Sequence, residues 1–307
     1  MESFAIHPLD PEDASMIARI RTAARPQKGA RWSIDARKQF DALMESVSPP
    51  DEVTFESATV GDVPGLWVHP ASGRSDEAIL HVHGGWFNAG SARAYQYLVG
   101  HIATRAGARA FVPDYRLAPE HPFPAAVDDV LATYRGMDGS GIRRIAVTGD
   151  SAGANLALVL ASCVAANAVS AKAALVGVAA MSPVTDLTLS GASYETRADT
   201  DPYFTKPQVA ELLRSYLGSA DANDPLASPL QGRLSGLPPI RVHVGDDEVL
   251  LDDSRRYVER AVAAGVDARL DVWTGMPHGF PALVGAVKAS AQALDAIGLF
   301  LTERLQA

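Results

Sequence analysis

The chain has 307 residues, of which 47% are apolar and 21% are charged, and its formal net charge at pH 7 is −9. This composition is typical of a globular protein, and the absence of any long basic run argues against a nucleic-acid partner. The single cysteine, Cys163, excludes an intramolecular disulfide and favours a reducing, cytoplasmic setting.

No targeting or membrane-spanning segment is expected. Residues 1–8 lack the basic head and apolar core of a signal peptide. The stretch 151–171 carries no charge, but it is rich in alanine and includes Asn155, Ser162 and Asn167. This pattern favours a buried helix over a membrane span.

The spacing of apolar residues alternates between helix and strand along most of the chain. In chain order, helical spacing covers 14–24, 34–47, 95–106, 125–134, 155–160, 209–217, 254–264 and 284–301. Strands are predicted at 53–60, 65–69, 78–82, 110–112, 145–148, 175–180, 240–244 and 268–273. The alternation predicts an α/β fold with a mostly parallel sheet of about eight strands and helices on both faces. Ligands of such sheets bind at the carboxyl ends of the strands.

The sequence Gly-Asp-Ser-Ala-Gly at residues 149–153 lies between an apolar strand, 145–148, and an apolar helix. A G-x-S-x-G motif at a strand-to-helix turn indicates a nucleophile elbow, here presenting Ser151. The helix N-terminus below the serine favours negative charge, which helps an oxyanion to form.

A serine nucleophile needs a base, and the base needs an acid that orients it. In this kind of fold the chain order is serine, acid, histidine. Two of the eight histidines follow Ser151: His243 lies within a predicted strand, and His278 lies in a Gly- and Pro-containing loop after the last strand. His278 is therefore the predicted base. The candidate acids follow the strand 240–244, and they are Asp246, Asp247, Glu248, Asp252 and Asp253. For most of these, a charge cluster at a helix start is the alternative interpretation.

Acyl transfer also needs N–H donors for the tetrahedral intermediate. His83-Gly84-Gly85-Trp86 follows the predicted strand 78–82, and its glycines allow backbone amides to face an oxyanion. We expect the donors to be the amides of Gly84, Gly85 and Ala152, with His83 bracing the loop by hydrogen bonds.

Four motifs together resemble the bacterial hormone-sensitive-lipase-like carboxylesterases of the α/β-hydrolase fold. They lie at 83–85, 114–125, 149–153 and 278–280, and the resemblance runs from about residue 78 to the C-terminus. It implies a single α/β-hydrolase domain over residues 1–307, with a helical cap formed by about 1–50 and 183–217. Segment 114–124 is expected to pack around the site without reacting. The family usually has a third glycine where this chain has Trp86, which should narrow the adjoining substrate pocket.

The resemblance also orders the candidate acids. The acid of the family is usually an Asp followed by leucine two residues on and by an acid four residues on. Glu248 fits this register, with Leu250 and Asp252 at those offsets, whereas Asp247 and Asp252 fit it less well. Glu248 is therefore the expected third member of a triad with Ser151 and His278.

The resemblance implies a serine carboxylesterase that hydrolyses short to medium acyl esters through an acyl-enzyme, with no metal or organic cofactor. The expected partner is a small-molecule ester; the oligomeric state stays open, with a homodimer among the possibilities. A lactonase or amidase with the same triad is an alternative, because one tetrahedral intermediate serves all three reactions. A non-catalytic binding protein, like the plant hormone receptors that resemble this family, is a second alternative. Such a protein need not keep the base, so the presence of both Ser151 and His278 argues against it.

Overall fold

A nine-stranded sheet runs through the part of the chain that the computed structural model describes, residues 3–30, 33–139, 141–169 and 171–307. The strands are β1 (Phe4–His7), β2 (Val53–Val60), β3 (Val63–Pro70), β4 (Glu77–Val82), β5 (Ala110–Pro113), β6 (Arg144–Asp150), β7 (Ala174–Met181), β8 (Ile240–Gly245) and β9 (Ala268–Trp273). Their order in the sheet is β1-β9-β8-β7-β6-β4-β5-β3-β2. Two neighbouring pairs of these strands are antiparallel, β2 with β3 and β3 with β5, and the others are parallel. The predicted α/β fold with a mostly parallel sheet is confirmed.

The helices are α1 (Pro11–Ala24), α2 (Ala36–Glu45), α3 (Ala92–Ala106), α4 (Ala125–Asp138), α5 (Ser151–Ala165), α6 (Ser193–Thr196), α7 (Lys206–Leu217), α8 (Leu251–Ala263) and α9 (Lys288–Gln306). Neighbouring residues of one strand serve opposite faces, since side chains alternate along a strand. Ile79 packs in the cluster under α3 and α9, whereas Leu80 packs in the cluster under α4, α5 and α8. Helices therefore cover both faces, as the alternating pattern predicts.

Strand β1 is the one strand of the described sheet that the sequence pattern did not predict. It pairs in parallel with β9, from Phe4 opposite Leu270 to His7 opposite Trp273. The last helix also differs from its prediction at 284–301, because it begins at Lys288. There the carboxylate of Asp13 accepts the N–H groups of Lys288 and Ala289 and so caps α9.

The N-terminal segment and the insertion between β7 and β8 contact each other. Lys28 Nζ donates to the carbonyl of Ala198 at 2.5 Å, and Gln208 Nε2 donates to the carbonyl of Ala30 at 2.8 Å. Of the segment 1–50, residues 1, 2, 31 and 32 lie outside the described residues, as does residue 170 of the stretch 151–171. Within the described parts of the chain, no helix has both the length and the hydropathy needed to cross a bilayer.

Candidate active site

Ser151 stands at the sharp turn between β6 and α5. Its φ of 53° lies in the left-handed region that a residue with a Cβ rarely adopts. The turn is tight enough that a Cβ on Gly153 would collide with the carbonyl oxygen of Val82, and one on Gly149 would lie 2.6 Å from the backbone of Gly153. The Ser151 side chain is 3% exposed, and its Oγ makes no hydrogen bond to another described residue, His278 included. Hydrogen bonds of this kind often tighten only when substrate binds.

His278 and Glu248 form a hydrogen-bonded pair. His278 Nδ1 lies 2.8 Å from Glu248 Oε2, and the glutamate is fully buried. The other oxygen, Oε1, accepts the hydroxyl of Ser182 and the N–H of Gly245, each at 2.7 Å. The carboxylate is therefore fixed in position, and it assigns the Nδ1 proton to its own side of the ring. That leaves the lone pair of the neutral imidazole on Nε2.

The other four acidic residues of this loop and helix start are engaged elsewhere. Asp246 accepts the N–H of Gly275, Asp247 pairs with Arg21, Asp252 accepts the N–H of Ser193, and Asp253 accepts the N–H groups of Thr185 and Asp186. Of the five candidate acids, Glu248 is the one whose carboxylate reaches His278. His243 is buried in β8 and accepts a hydrogen bond from Trp273 Nε1.

The segment after β7 joins the elbow to the Glu248–His278 pair. The N–H of Val184 donates to the carbonyl of Ser151 at 3.3 Å, and two residues earlier Ser182 donates to Glu248. Burial alone pushes the pKa of His278 down, but the charge and hydrogen bond of Glu248 and the charges of Asp201 and Asp150 outweigh it and raise that pKa. The imidazole thus gains basicity from the carboxylates around it.

The loop 83–88 turns all of its carbonyls into the protein. The carbonyl of His83 accepts from Tyr115 Oη, and that of Gly84 from His83 Nδ1. The carbonyl of Gly85 accepts from the N–H of Asn88, and that of Trp86 from Asn88 Nδ2. The carbonyl of Phe87 accepts from the N–H of Ala118, and that of Asn88 from Arg37 Nε. The expected bracing role of His83 is confirmed by its hydrogen bond to Gly84 and by the stacking of its ring on Tyr115 at 4.2 Å.

The amides of this loop differ from the sequence-based expectation at one position. The N–H of Gly84 points to the Asp150 carboxylate at 3.0 Å and the Tyr95 hydroxyl at 3.1 Å, so it is already satisfied inside the protein. The N–H groups of Gly85 and Trp86 donate to no backbone carbonyl among the described residues. The amide of Ala152 lies in the first turn of α5, where backbone N–H groups lack intrahelical acceptors.

Asp150, which directly precedes Ser151, connects the elbow to this loop through its hydrogen bond from the N–H of Gly84. Its Oδ2 accepts the hydroxyl of Tyr95 at 2.9 Å, and burial raises the pKa of Asp150 to about 6. His81 Nε2 lies 3.8 Å from the same carboxylate, but burial lowers the pKa of His81 to about 3. That histidine is neutral, so the contact is not an ion pair.

One aromatic ring, that of Phe204, packs against the histidine, and a second, that of Trp86, packs against Phe204. Trp86 is 2% exposed, and its ring packs edge-on against Phe204 with 5.1 Å between the centroids. Phe204 in turn packs against His278. Phe204 comes from the irregular insertion, where no motif or periodicity singles it out. In residues 3–30, 33–139, 141–169 and 171–307, no group of three or more His, Cys, Asp or Glu side chains is placed to hold a metal ion.

Comparison with known proteins identifies a family model and several relatives that this chain matches. A family model described as the α/β-hydrolase fold matches residues 79–282. An acetyl-hydrolase of Streptomyces hygroscopicus is 34% identical over 255 residues, which cover 82% of this chain and 83% of the relative. An esterase of Acinetobacter venetianus is 35% identical over 235 residues, 76% of this chain and 77% of the relative.

Solved structures match over nearly the whole chain. The structure of EstE5 soaked by ethyl alcohol superposes with a TM-score of 0.91 at 34% identity, covering 97% of this chain and 100% of that one. An esterase from the bacterial hormone-sensitive lipase family superposes with a TM-score of 0.89 at 37% identity, covering 97% of this chain and 99% of that one.

Proposed function

The chain belongs to the bacterial hormone-sensitive-lipase-like esterases of the α/β-hydrolase fold, and from that premise we propose that it hydrolyses short to medium acyl esters through a triad of Ser151, His278 and Glu248. That the chain is a carboxylic ester hydrolase follows from its relatives, which are esterases and carboxylesterases. The proposal concerns the residues, the mechanism and the acyl range. The observation that carries it is the 2.8 Å hydrogen bond between His278 and the buried Glu248, in a protein whose elbow serine has no hydrogen-bond partner for its hydroxyl among the described residues.

In the proposed first half-reaction, Ser151 Oγ attacks the ester carbonyl while His278 Nε2 takes the hydroxyl proton. Glu248 keeps the imidazole in the required tautomer and stabilises the imidazolium that forms. The carbonyl oxygen becomes an oxyanion, which donors in a dry site stabilise most strongly. His278 then returns the proton to the departing alcohol, leaving an acyl-enzyme on Ser151. Water repeats the sequence and releases the acid.

For the oxyanion donors we propose the amides of Gly85, Trp86 and Ala152. Gly84, which the sequence also suggested, supports the loop instead, because its amide already binds Asp150 and Tyr95. The sequence motif directs attention to glycines and gives Trp86 a role through its side chain alone. A backbone N–H is nevertheless present at position 86, whatever the side chain is.

We also propose that the helices of the N-terminal segment and the insertion 183–217 form a cap over the site. Support comes from the contacts between the two segments and from Phe204, which the insertion places against His278. With Trp86, this ring would limit the depth of the acyl pocket, which supports a preference for short to medium acyl chains.

The test pairs turnover with covalent labelling. Wild-type protein should hydrolyse p-nitrophenyl esters, and a fluorophosphonate probe should modify Ser151, as located by peptide mass spectrometry. Labelling at another residue, or turnover without labelling of Ser151, would contradict the proposal. A panel of p-nitrophenyl esters, lactones and anilides measured in parallel places the chain among ester, lactone and amide hydrolases.

A further inference from the structure

Asn88 occupies an unusual place at the end of the loop 83–88. Its side chain is buried, at 7% exposed, and every polar atom of its amide has a partner. Nδ2 donates to the carbonyl of Trp86 at 2.6 Å and to the carbonyl of Leu212 at 3.4 Å, while Oδ1 accepts the hydroxyl of Ser215 at 2.6 Å. One side chain thus joins the loop to helix α7 of the insertion.

The other cap segment reaches the same loop. Arg37, from α2, donates through Nε to the backbone carbonyl of Asn88 at 2.5 Å, and its guanidinium also binds the carbonyl of Ala118 and the carboxylate of Glu120. The ring of Phe87 stacks on Tyr216 of α7, with 3.7 Å between the centroids and 7° between the planes. Contacts from both segments therefore meet at residues 86–88.

These residues need such support because their backbone is strained. Trp86 and Phe87 have φ values of 54° and 62°, although neither is a glycine. This region is unfavourable for a non-glycine residue, and the conformation persists only where the surroundings over-determine it. The hydrogen bond from Asn88 Nδ2 fixes the carbonyl of Trp86, which lies within the strained pair.

We propose that Asn88 is a positioning residue for the oxyanion loop, and that it makes tryptophan tolerable at position 86. By holding the carbonyl of Trp86 inward, Asn88 fixes the backbone directly after the two proposed oxyanion donors, the N–H groups of Gly85 and Trp86, and so keeps this part of the loop in its strained conformation. The carbonyls of Trp86 and Leu212 set the orientation of the Asn88 amide, since a carbonyl only accepts and must therefore face Nδ2. The Ser215 hydroxyl, which also lies 2.8 Å from the carbonyl of Leu212, supports this orientation from the side of Oδ1. This inference rests on the proposed function, because it assigns the loop amides to the oxyanion.

The first test is Asn88→Ala, with steady-state kinetics on p-nitrophenyl butyrate. Losing a single oxyanion donor typically lowers kcat by about 100- to 1,000-fold, so we expect a loss of about 100-fold with KM within about threefold of wild type. The exposed Asn223 gives a matched control, because Asn223→Ala removes the same atoms from a surface loop. An Asn88→Ala enzyme with kcat within threefold of wild type would overturn the proposal.

The second test separates positioning from general damage. Trp86→Gly relieves the backbone strain at that position, so the loop should no longer depend on Asn88. We expect Asn88→Ala to lower kcat less than about threefold in the Trp86→Gly background, against about 100-fold in wild type. An equal loss in both backgrounds would mean that Asn88 does not act through the conformation of Trp86.

Two further measurements keep the outcomes distinct. If Asn88→Ala does not fold, Ser215→Ala replaces it, with an expected loss in kcat of about tenfold and an unchanged KM. Fluorophosphonate labelling of Ser151 in the wild-type protein reports on the proposed function alone. Wild-type labelling together with an unaffected Asn88→Ala enzyme refutes only the role of Asn88, whereas absence of labelling refutes the proposed function itself.

Discussion

The ring of Phe204 lies edge-on to the imidazole of His278, with 5.2 Å between the ring centroids and 77° between the planes. The backbone around Phe204 is fixed by Asp201, whose Oδ1 accepts the N–H groups of Tyr203 and Phe204 and whose Oδ2 accepts the N–H of Val249. Val249 directly follows Glu248. The insertion, which packs Phe204 against the histidine, is thus tied to the loop that carries Glu248, and the charge of Asp201 acts on His278 as well.

This arrangement sets the pH dependence of the enzyme. His278 must be neutral to act as a base, so kcat/KM should fall as the pH drops through its pKa. Because Glu248, Asp201 and Asp150 raise that pKa, the midpoint of the acid limb should lie above the usual value for histidine, about 6.5. Asp201→Asn removes a negative charge, lowers the pKa of His278 and moves the limb to lower pH. The exposed Asp221→Asn serves as the control, and an unmoved midpoint in Asp201→Asn would show that Asp201 carries no charge in the active enzyme.

Removal of the nucleophile should abolish most activity without unfolding the protein. Ser151→Ala deletes a buried hydroxyl that has no hydrogen-bond partner among the described residues, so the free energy of unfolding should change little. Turnover should fall by about 10⁴- to 10⁶-fold. The measurement is p-nitrophenyl ester hydrolysis on purified protein, with the melting temperature as a check on folding. Substantial activity in a folded variant would refute the mechanism.

Glu248 should be the acid of the triad, and three variants compared side by side decide this. Glu248→Gln favours the wrong tautomer of His278, with a loss of up to about 10⁴-fold in turnover. Asp247→Asn breaks the pair with Arg21, and Asp252→Asn weakens a contact with Ser193, but neither carboxylate contacts His278. Both should stay within about tenfold of wild type. The assignment fails if an aspartate variant is crippled while Glu248→Gln is not.

Acyl chains of about eight carbons or fewer should be preferred, because we propose that the rings of Trp86 and Phe204 limit the depth of the acyl pocket. A buried methylene contributes about 0.8 kcal/mol, so kcat/KM should rise with chain length only until the pocket is full. Phe204→Ala should move the optimum to longer chains in a series from C2 to C16. A wild-type profile that keeps rising through C12 and C16 contradicts the prediction.

Asp253 should make the protein less stable as the pH rises. Burial raises the pKa of Asp253 to about 7, from 3.8 in an unfolded chain. Between these values the folded state holds a proton that the unfolded state has lost, so the contribution of this group to stability declines as the pH rises from about 4 to about 7. Asp253→Asn keeps an oxygen for the N–H groups of Thr185 and Asp186. Its melting temperature, relative to wild type, should therefore increase between pH 5 and pH 8; a constant difference would show that Asp253 titrates normally.

The extent to which sequence alone predicts this site depends on how local each signal is. Ser151 and His278 come from motifs that need only their chain neighbours to be recognised. The motif at 83–86 predicts Gly84 as an oxyanion donor for the same reason. The N–H of Gly84 instead donates to Tyr95 and Asp150, and the contact of Tyr95 with the loop is a tertiary one. A local pattern carries no information about such a partner.

The same reasoning applies to the fold. The short strand β5 is predictable because residues 110–112 are all apolar and it is fully buried, whereas β1, of the same length, is partly exposed and is defined by its pairing with β9. Phe204 is a comparable case, since its importance comes from what lies across from it, Trp86 and His278. Both features depend on neighbours that are distant in the chain, and these become visible only in three dimensions.

The pairing of β1 with β9 also affects when the protein can finish folding during its synthesis. A ribosome makes β1 before the other eight strands of the described sheet, but the edge it binds, residues 270–273, belongs to the last of them. Asp13 likewise has no partners until Lys288 and Ala289, whose N–H groups it accepts, have been synthesised. For most of translation the N-terminal segment is therefore without these partners, and the backbone groups of β1 that later pair with β9 are open to chaperones or to other nascent chains.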